Sequence, residues 1–279
     1  MILNRRRSLR VTMVAFAALI SIGWSGTTTR WVAWNAVGFF PPDLKRQIKL
    51  HERRFEAGIQ RGLASPPAWR AASPGKLEAA LESQLHHCTA ALRKPVPLAD
   101  LVEELGVLAV RVLDANDPLA AAHNDSLEPT YAAAYQAYVD SARPRLRLVY
   151  YGMDRQLVYG RRVDGSIGGI IERSRSLYPF LGEEFYRTGS LRSWRELDDR
   201  SVAFGVAGVS LSRGLTDLAN FAAFVWNSGG GFVPTPLPTP TGHVGPTVTL
   251  SLEGGFPDRE KPGRGDPVMP QRKLILPPP

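Results

Sequence analysis

The chain has 279 residues, 44% hydrophobic and 22% charged, with one cysteine and five histidines. That balance excludes wholesale disorder and collagen-like repeats, and the lone Cys88 excludes an intramolecular disulfide framework and a cysteine-rich zinc module. Half of the net charge of +8 comes from Arg5, Arg6, Arg7 and Arg10, so the interior carries no basic stripe of the kind that neutralises phosphates, and nucleic acid is not an expected partner.

In chain order, residues 1–10 form a basic segment and residues 11–23 an apolar run, too short to span about 30 Å of hydrocarbon comfortably. Small residues, Ser21 and Gly23, stand at the −3 and −1 positions of a cut before Trp24. Residues 1–23 thus have the build of a secretory signal peptide, with an uncleaved N-terminal anchor as the alternative. Either places the bulk of the protein outside the cytoplasm: secreted, periplasmic or anchored to the membrane.

Apolar residues then recur at helical spacing. Asp43 opens a segment with Leu44, Ile48, Phe55 and Ile59, ending at Gly62. Ser73-Pro74 is an N-cap and first-turn pair ahead of Leu77, Leu81, Leu85, Cys88 and Leu92. A third helix carries Leu98, Leu101, Leu105, Leu108 and Val112 on one face, and a fourth, 128–142, carries Tyr131, Tyr135 and Tyr138. Residues 165–169 read as a turn entering a helix over 167–186 that Pro179 kinks or breaks. Residues 198–227 are long, apolar and rich in small residues, which suits the centre of a bundle. Strand signals are confined to 146–151 and 156–159. From Gly229 the composition shifts: the last 51 residues hold 12 Pro and 9 Gly. Such a segment buries too little apolar surface to offset its ordering entropy, which predicts a disordered or polyproline-like tail. The expectation is an all-α multi-helix bundle over 24–228, between a leader at 1–23 and a Pro/Gly-rich tail at 229–279 that offers a docking surface for a partner.

Two stretches carry a resemblance. Trp24-Ser25-Gly26-Thr27-Thr28-Thr29-Arg30 follows the leader, and Leu105-Gly106-Val107-Leu108-Ala109-Val110-Arg111-Val112-Leu113-Asp114 continues through Ala115-Asn116-Asp117-Pro118-Leu119-Ala120. They resemble the frames W-G-x-x-T-H-R and L-G-x-L-A-H-x-x-x-D-x-x-x-P-L-H of the zinc-dependent phospholipases C and the secreted single-strand-specific nucleases that share their fold. The resemblance covers about 24–152 and implies an all-helical scaffold built round three zinc ions. In that family the mature chain begins at the position of Trp24, and the carboxylate matched by Asp114 bridges metals. The histidine positions fall here on Thr29, Val110 and Ala120. A further ligand pair, H-x-x-x-E or H-x-x-x-D, matches Ala132 and Gln136. The remaining His and Asp ligands would fall between Asp43 and Arg93 and have no match.

Zinc needs three or four N, S or O donors. Val, Ala and Ala supply none, Thr and Gln are poor ligands, and Asp114 is the one retained ligand type. No zinc or other cofactor is therefore expected, and the chain reads as a non-catalytic relative that acts by binding. A lipid or protein ligand in the ancestral cleft and docking through the tail are the candidate interactions. The alternative is an active phosphodiesterase with a remodelled metal site, in which zinc returns. His123, three residues beyond Ala120, is the candidate replacement ligand. Asp114, Asn116 and Asp117 admit a calcium reading but lack the glycine and terminal glutamate of an EF-hand loop; a helix end turning into Pro118 is the simpler expectation. His86 and His87 point to adjacent helix faces, His51 reads as a helix-surface residue and Cys88 as core packing. The acids Glu183, Glu184, Asp198 and Asp199 read as helix-start residues rather than an acid/base pair.

Overall fold

A computed structural model describes residues 23–64, 74–93, 97–122, 128–160, 163, 165–186 and 191–234. Residues 1–22, His123 and the residues beyond 234 lie outside the described residues. Among the described residues the elements are all helical: α1 (Gly26–Val37), α2 (Pro42–Leu50), α3 (Glu52–Ala64), α4 (Pro74–Leu92), α5 (Leu98–Ala115), α6 (Pro118–Ala121), α7 (Glu128–Ala142), α8 (Arg155–Val158), α9 (Ser166–Arg175), α10 (Tyr178–Tyr186), a 3-10 turn at Trp194–Glu196, and α11 (Val202–Ser228). No described helix is long and apolar enough to cross a membrane.

Several helices start where the local chemistry provides for their free N–H groups or a residue suited to the turn. Ser25 accepts from Thr28 N at α1, Pro42 opens α2, and Asp154 accepts from Gln156 N and Leu157 N at α8. Gly165, at φ +76°, turns the chain into α9. Two groups cap α11: Ser201 accepts from Phe204 N, and Glu184 Oε2, reaching over from α10, accepts from Val202 N at 3.1 Å.

The segment beginning at Asp43 is two helices rather than one, broken at His51 (φ −116°, ψ 35°). The break after α9 falls at Ser176 and Leu177, ahead of Pro179, which occupies the first turn of α10 where a missing N–H costs nothing. Neither strand expectation holds. Residues 155–158 form α8 because Asp154 caps them. Residues 146–154 belong to no helix or strand; over 147–151 exposure alternates as in an extended chain, and the segment runs along α11, where side chains stand in for a β-ladder. Val149 N donates to Ser212 Oγ (3.1 Å), Tyr151 N to Thr216 Oγ1 (3.0 Å) and Asp154 N to Asn220 Oδ1 (3.1 Å). Four residues of helix rise about 6.0 Å and two of strand about 6.6 Å, so the step from Ser212 to Thr216 on α11 keeps pace with that from Val149 to Tyr151; the next step, to Asn220, spans three ribbon residues across Gly152 (φ +107°).

The core is built on α5, against which α1, α2, α3, α4, α6, α9 and α11 pack. The α3–α5 crossing is the closest, because Gly58, Gly62 and Gly106 line it. Packing continues past the end of α11: Val233 is buried against Val158 and Ala223, and Tyr159 OH donates to Pro234 O.

Candidate functional site

Trp24, Asp114 and Gln136, three of the residues matched by the resemblance, gather at the C-terminal end of α5. A buried helix end leaves its last four carbonyls without helical partners, and here each of the four finds a donor from a different place. Val112 O accepts from Asn116 Nδ2 (3.1 Å), Leu113 O from the indole Nε1 of Trp24 (3.0 Å), Asp114 O from Asp117 N (3.1 Å) and Ala115 O from Ser174 Oγ on α9 (2.8 Å). Asp117 then caps α6 by accepting from Leu119 N at 2.8 Å. Asp114, Asn116 and Asp117 are each 1% exposed. Asn116 turns toward α11, giving its Nδ2 to Asp217 Oδ2 (3.0 Å), while Asp117 turns to its own helix start. Asp114 and Asp117 both have interaction partners.

Trp24 is held from two further sides. Its ring lies 5.9 Å from that of Tyr135, tilted by 48°. Gln136 Nε2 donates to the carbonyl of Gly23. One turn on, Asp140 Oδ1 accepts from both Ser25 Oγ (2.6 Å) and Thr28 Oγ1 (2.7 Å). The approach to α1 is thereby bolted to α5 and α7, and Thr29, 2% exposed, is buried in the first turn of α1. Trp24, the end of α5 around Asp114, and Gln136 are thus brought together from three parts of the sequence. Val110 faces elsewhere: it fills the space beside Gly62 of α3, where an added β-carbon would lie 2.8 Å from Val110 Cγ2. Ala120 is 6% exposed in α6 and Ala132 fully buried in α7.

Aromatic rings close the neighbourhood. Tyr131 stacks on Phe185 (5.5 Å, 12°), and Tyr135 meets the same ring edge-on (6.4 Å, 87°). The Tyr135 hydroxyl is buried and has no hydrogen-bond partner among the described residues. Burial, followed by the nearby Asp117 carboxylate, holds that phenol well above its ordinary value of 10, so it stays neutral. A neutral phenol, a carboxamide and aliphatic walls beside the carboxylates of Asp114 and Asp117, both already engaged, do not fit a cluster of zinc ions. Among the described residues no three His, Cys, Asp or Glu side chains are placed to hold a metal ion.

The other candidates lie apart. His86 and His87 are exposed on α4; His87 Nε2 stands 3.7 Å from Glu104 Oε1. His87 lines a cavity of about 350 Å³ with Arg61, Ser83, Gln84, Glu104, Val107 and Arg111. There Glu104 already pairs with Arg61 and accepts from Gln84, leaving the charge compensated. His51 lines a wider surface cavity of about 650 Å³ with residues of the α2–α3 corner. Cys88 is buried, and desolvation pushes its thiol up to about 12. Glu184, 2% exposed, pairs with Arg192 besides capping α11, and Asp199 pairs with Arg145.

One largely buried ionic group escaped the reading of the sequence. Asp217 on α11 receives Asn116 Nδ2 and Arg173 Nη2 (3.1 Å), yet burial outweighs these partners and raises its carboxyl above 3.8. The only sequence signal was a lone acid in an apolar helix.

Compared with known proteins, the chain matches no family model and no curated protein.

Proposed function

We propose that this chain is an exported, non-hydrolytic helical protein that acts by binding, on a scaffold of the phospholipase C and secreted-nuclease type. The observation that carries this reading is the end of α5. The positions that would hold metal in an enzyme of that type are occupied by packing and capping groups: Trp24 satisfies a carbonyl, Val110 fills the α3 crossing, and Ala120 and Ala132 are core. Gln136, the counterpart of an acidic ligand, ties down the backbone of Gly23. Phosphodiester hydrolysis by such a scaffold needs metals that activate water and neutralise the phosphoryl oxygens. With one carboxylate retained, that chemistry has no seat, and partners are met on the outer surface rather than in a central cleft.

The test is metal content with turnover. After equilibration with excess zinc and gel filtration, the purified protein is expected to retain less than about one zinc per chain and to leave bis(p-nitrophenyl) phosphate intact. Retention of about two or more zinc ions together with hydrolysis would overturn the proposal and establish a phosphodiesterase with a remodelled metal site.

A further inference from the structure

The ribbon beside α11 has a second edge. From Arg147 to Tyr151 exposure alternates: Arg147, Val149 and Tyr151 are exposed, while Leu148 and Tyr150 are half-buried. The N–H groups of Val149 and Tyr151 point at α11 and are bonded there. In an extended chain the intervening residues present their N–H and C=O groups to the opposite edge. Those of Leu148 and Tyr150 have no hydrogen-bond partner among the described residues. The outer face over this edge is apolar for its position, with Val149 49% and Tyr151 58% exposed. The Tyr150 ring is fixed by stacking on Phe39 at 4.4 Å. An unpaired, rigidly held edge of this kind is a template for another strand.

We propose that a second copy of this chain covers it, the two ribbons pairing antiparallel about a twofold axis through Val149. Three registers lie within reach, and the bonds already made decide between them. Centred on Leu148, the pair would need the N–H of Leu146, which already donates to Ala142 O and Arg143 O. Centred on Tyr150, it would need Gly152, which has φ +107° and a carbonyl taken by Asn220. Centred on Val149, Leu148 faces the partner's Tyr150 and exchanges both N–H···O bonds with it, and Tyr150 does the same with the partner's Leu148. Every free group on the edge is used and none already bonded is disturbed.

The side chains suit the same register. On the outer face Val149 meets the partner's Val149 in the closer, non-hydrogen-bonded pairing, apolar on apolar. Arg147 lies opposite the partner's Tyr151, a cation beside an aromatic ring, and the twofold repeats that contact at the other end. This self-complementarity favours a second copy over a foreign peptide. Two strands this short bury less than the roughly 1,200 Å² of a stable interface, so the dimer is weak and concentration-dependent.

Sedimentation of the purified full chain from about 1 μM to about 1 mM tests this. The expected result is reversible dimerisation, with amide exchange at Leu148 and Tyr150 slowing as concentration rises. Val149→Lys, at an exposed position, is expected to keep the helical circular dichroism and abolish the dimer. Tyr151→Arg places like charges opposite each other and is expected to weaken association at least tenfold; adding Arg147→Glu makes the pair complementary again and restores it. A chain monomeric throughout, a dimer indifferent to Val149→Lys, or a double variant no better than Tyr151→Arg would each overturn the proposal.

Discussion

Gly58 and Gly106 meet backbone to backbone where α3 crosses α5: a β-carbon built on Gly106 would lie 2.3 Å from Phe55 O and 2.9 Å from Gly58 Cα. No flexible side-chain end is there to yield, so the helices themselves would have to part. Gly106→Ala is expected to destabilise the fold by about 2 kcal/mol, the cost of overpacking exceeding the roughly 1 kcal/mol that alanine returns in helix propensity. Gly169→Ala in α9, where nothing lies within 4 Å, provides the contrast and is expected to stabilise. Urea unfolding of both variants checks the pair.

Trp24→Phe keeps most of the ring and removes the donor to Leu113 O. That carbonyl retains a second, backbone partner in Asn116 N at 3.1 Å. The expected loss is therefore modest, about 1 kcal/mol, the net worth of a single hydrogen bond. Thermal unfolding of the variant against the parent measures it.

Thr216→Val preserves shape and deletes the acceptor of the Tyr151 N–H. It is expected to cost about 1 kcal/mol, and the amide of Tyr151 should lose its exchange protection before those of the α5 core do. Hydrogen exchange resolved to single amides checks both parts.

How much of this was legible beforehand depended on whether a signal was local. Helices α4, α5, α7 and α11 follow from leucines, tyrosines and small residues at helical spacing, and the ends of α7 fall where the sequence placed them. The break at His51 was hidden because Ile48 and Phe55 are two turns apart, so an unbroken helix would keep them on one face. Helix α1, with three threonines and apolar residues on several sides, had no readable face, although its cap, Ser25, stood in plain view. The ribbon at 146–151 has strand periodicity. Its partner is a row of side chains on α11, which no strand pattern announces. At the candidate site, the frame L-G-x-L-A placed Asp114 at the end of a helix. That Trp24 caps this same end was out of reach, because the contact spans 89 residues.

Asp217 makes stability depend on pH in a defined sense. Its folded-state pKa is raised above 3.8, chiefly by burial. The folded protein therefore takes up this proton more readily than the unfolded chain. The associated stability is complete below the unfolded value and lost as pH rises through the folded one. Relative to Asp217→Asn, the parent is expected to gain stability as pH falls from neutral through that window and to level off beneath it. A pH series of unfolding midpoints for the two proteins gives the difference directly.

Cys88, buried and with its thiol pushed up to about 12, is expected to resist Ellman's reagent in the folded protein and to react at once in denaturant. A thiol titration with and without guanidinium distinguishes the two.

The peptide bond between Gly23 and Trp24 is shielded in the folded, uncut chain, with both residues buried and the Gly23 carbonyl held by Gln136. A peptidase that cuts there has to find the bond while α7 has yet to arrive. Any proteolysis of that bond would therefore have to run ahead of tertiary closure.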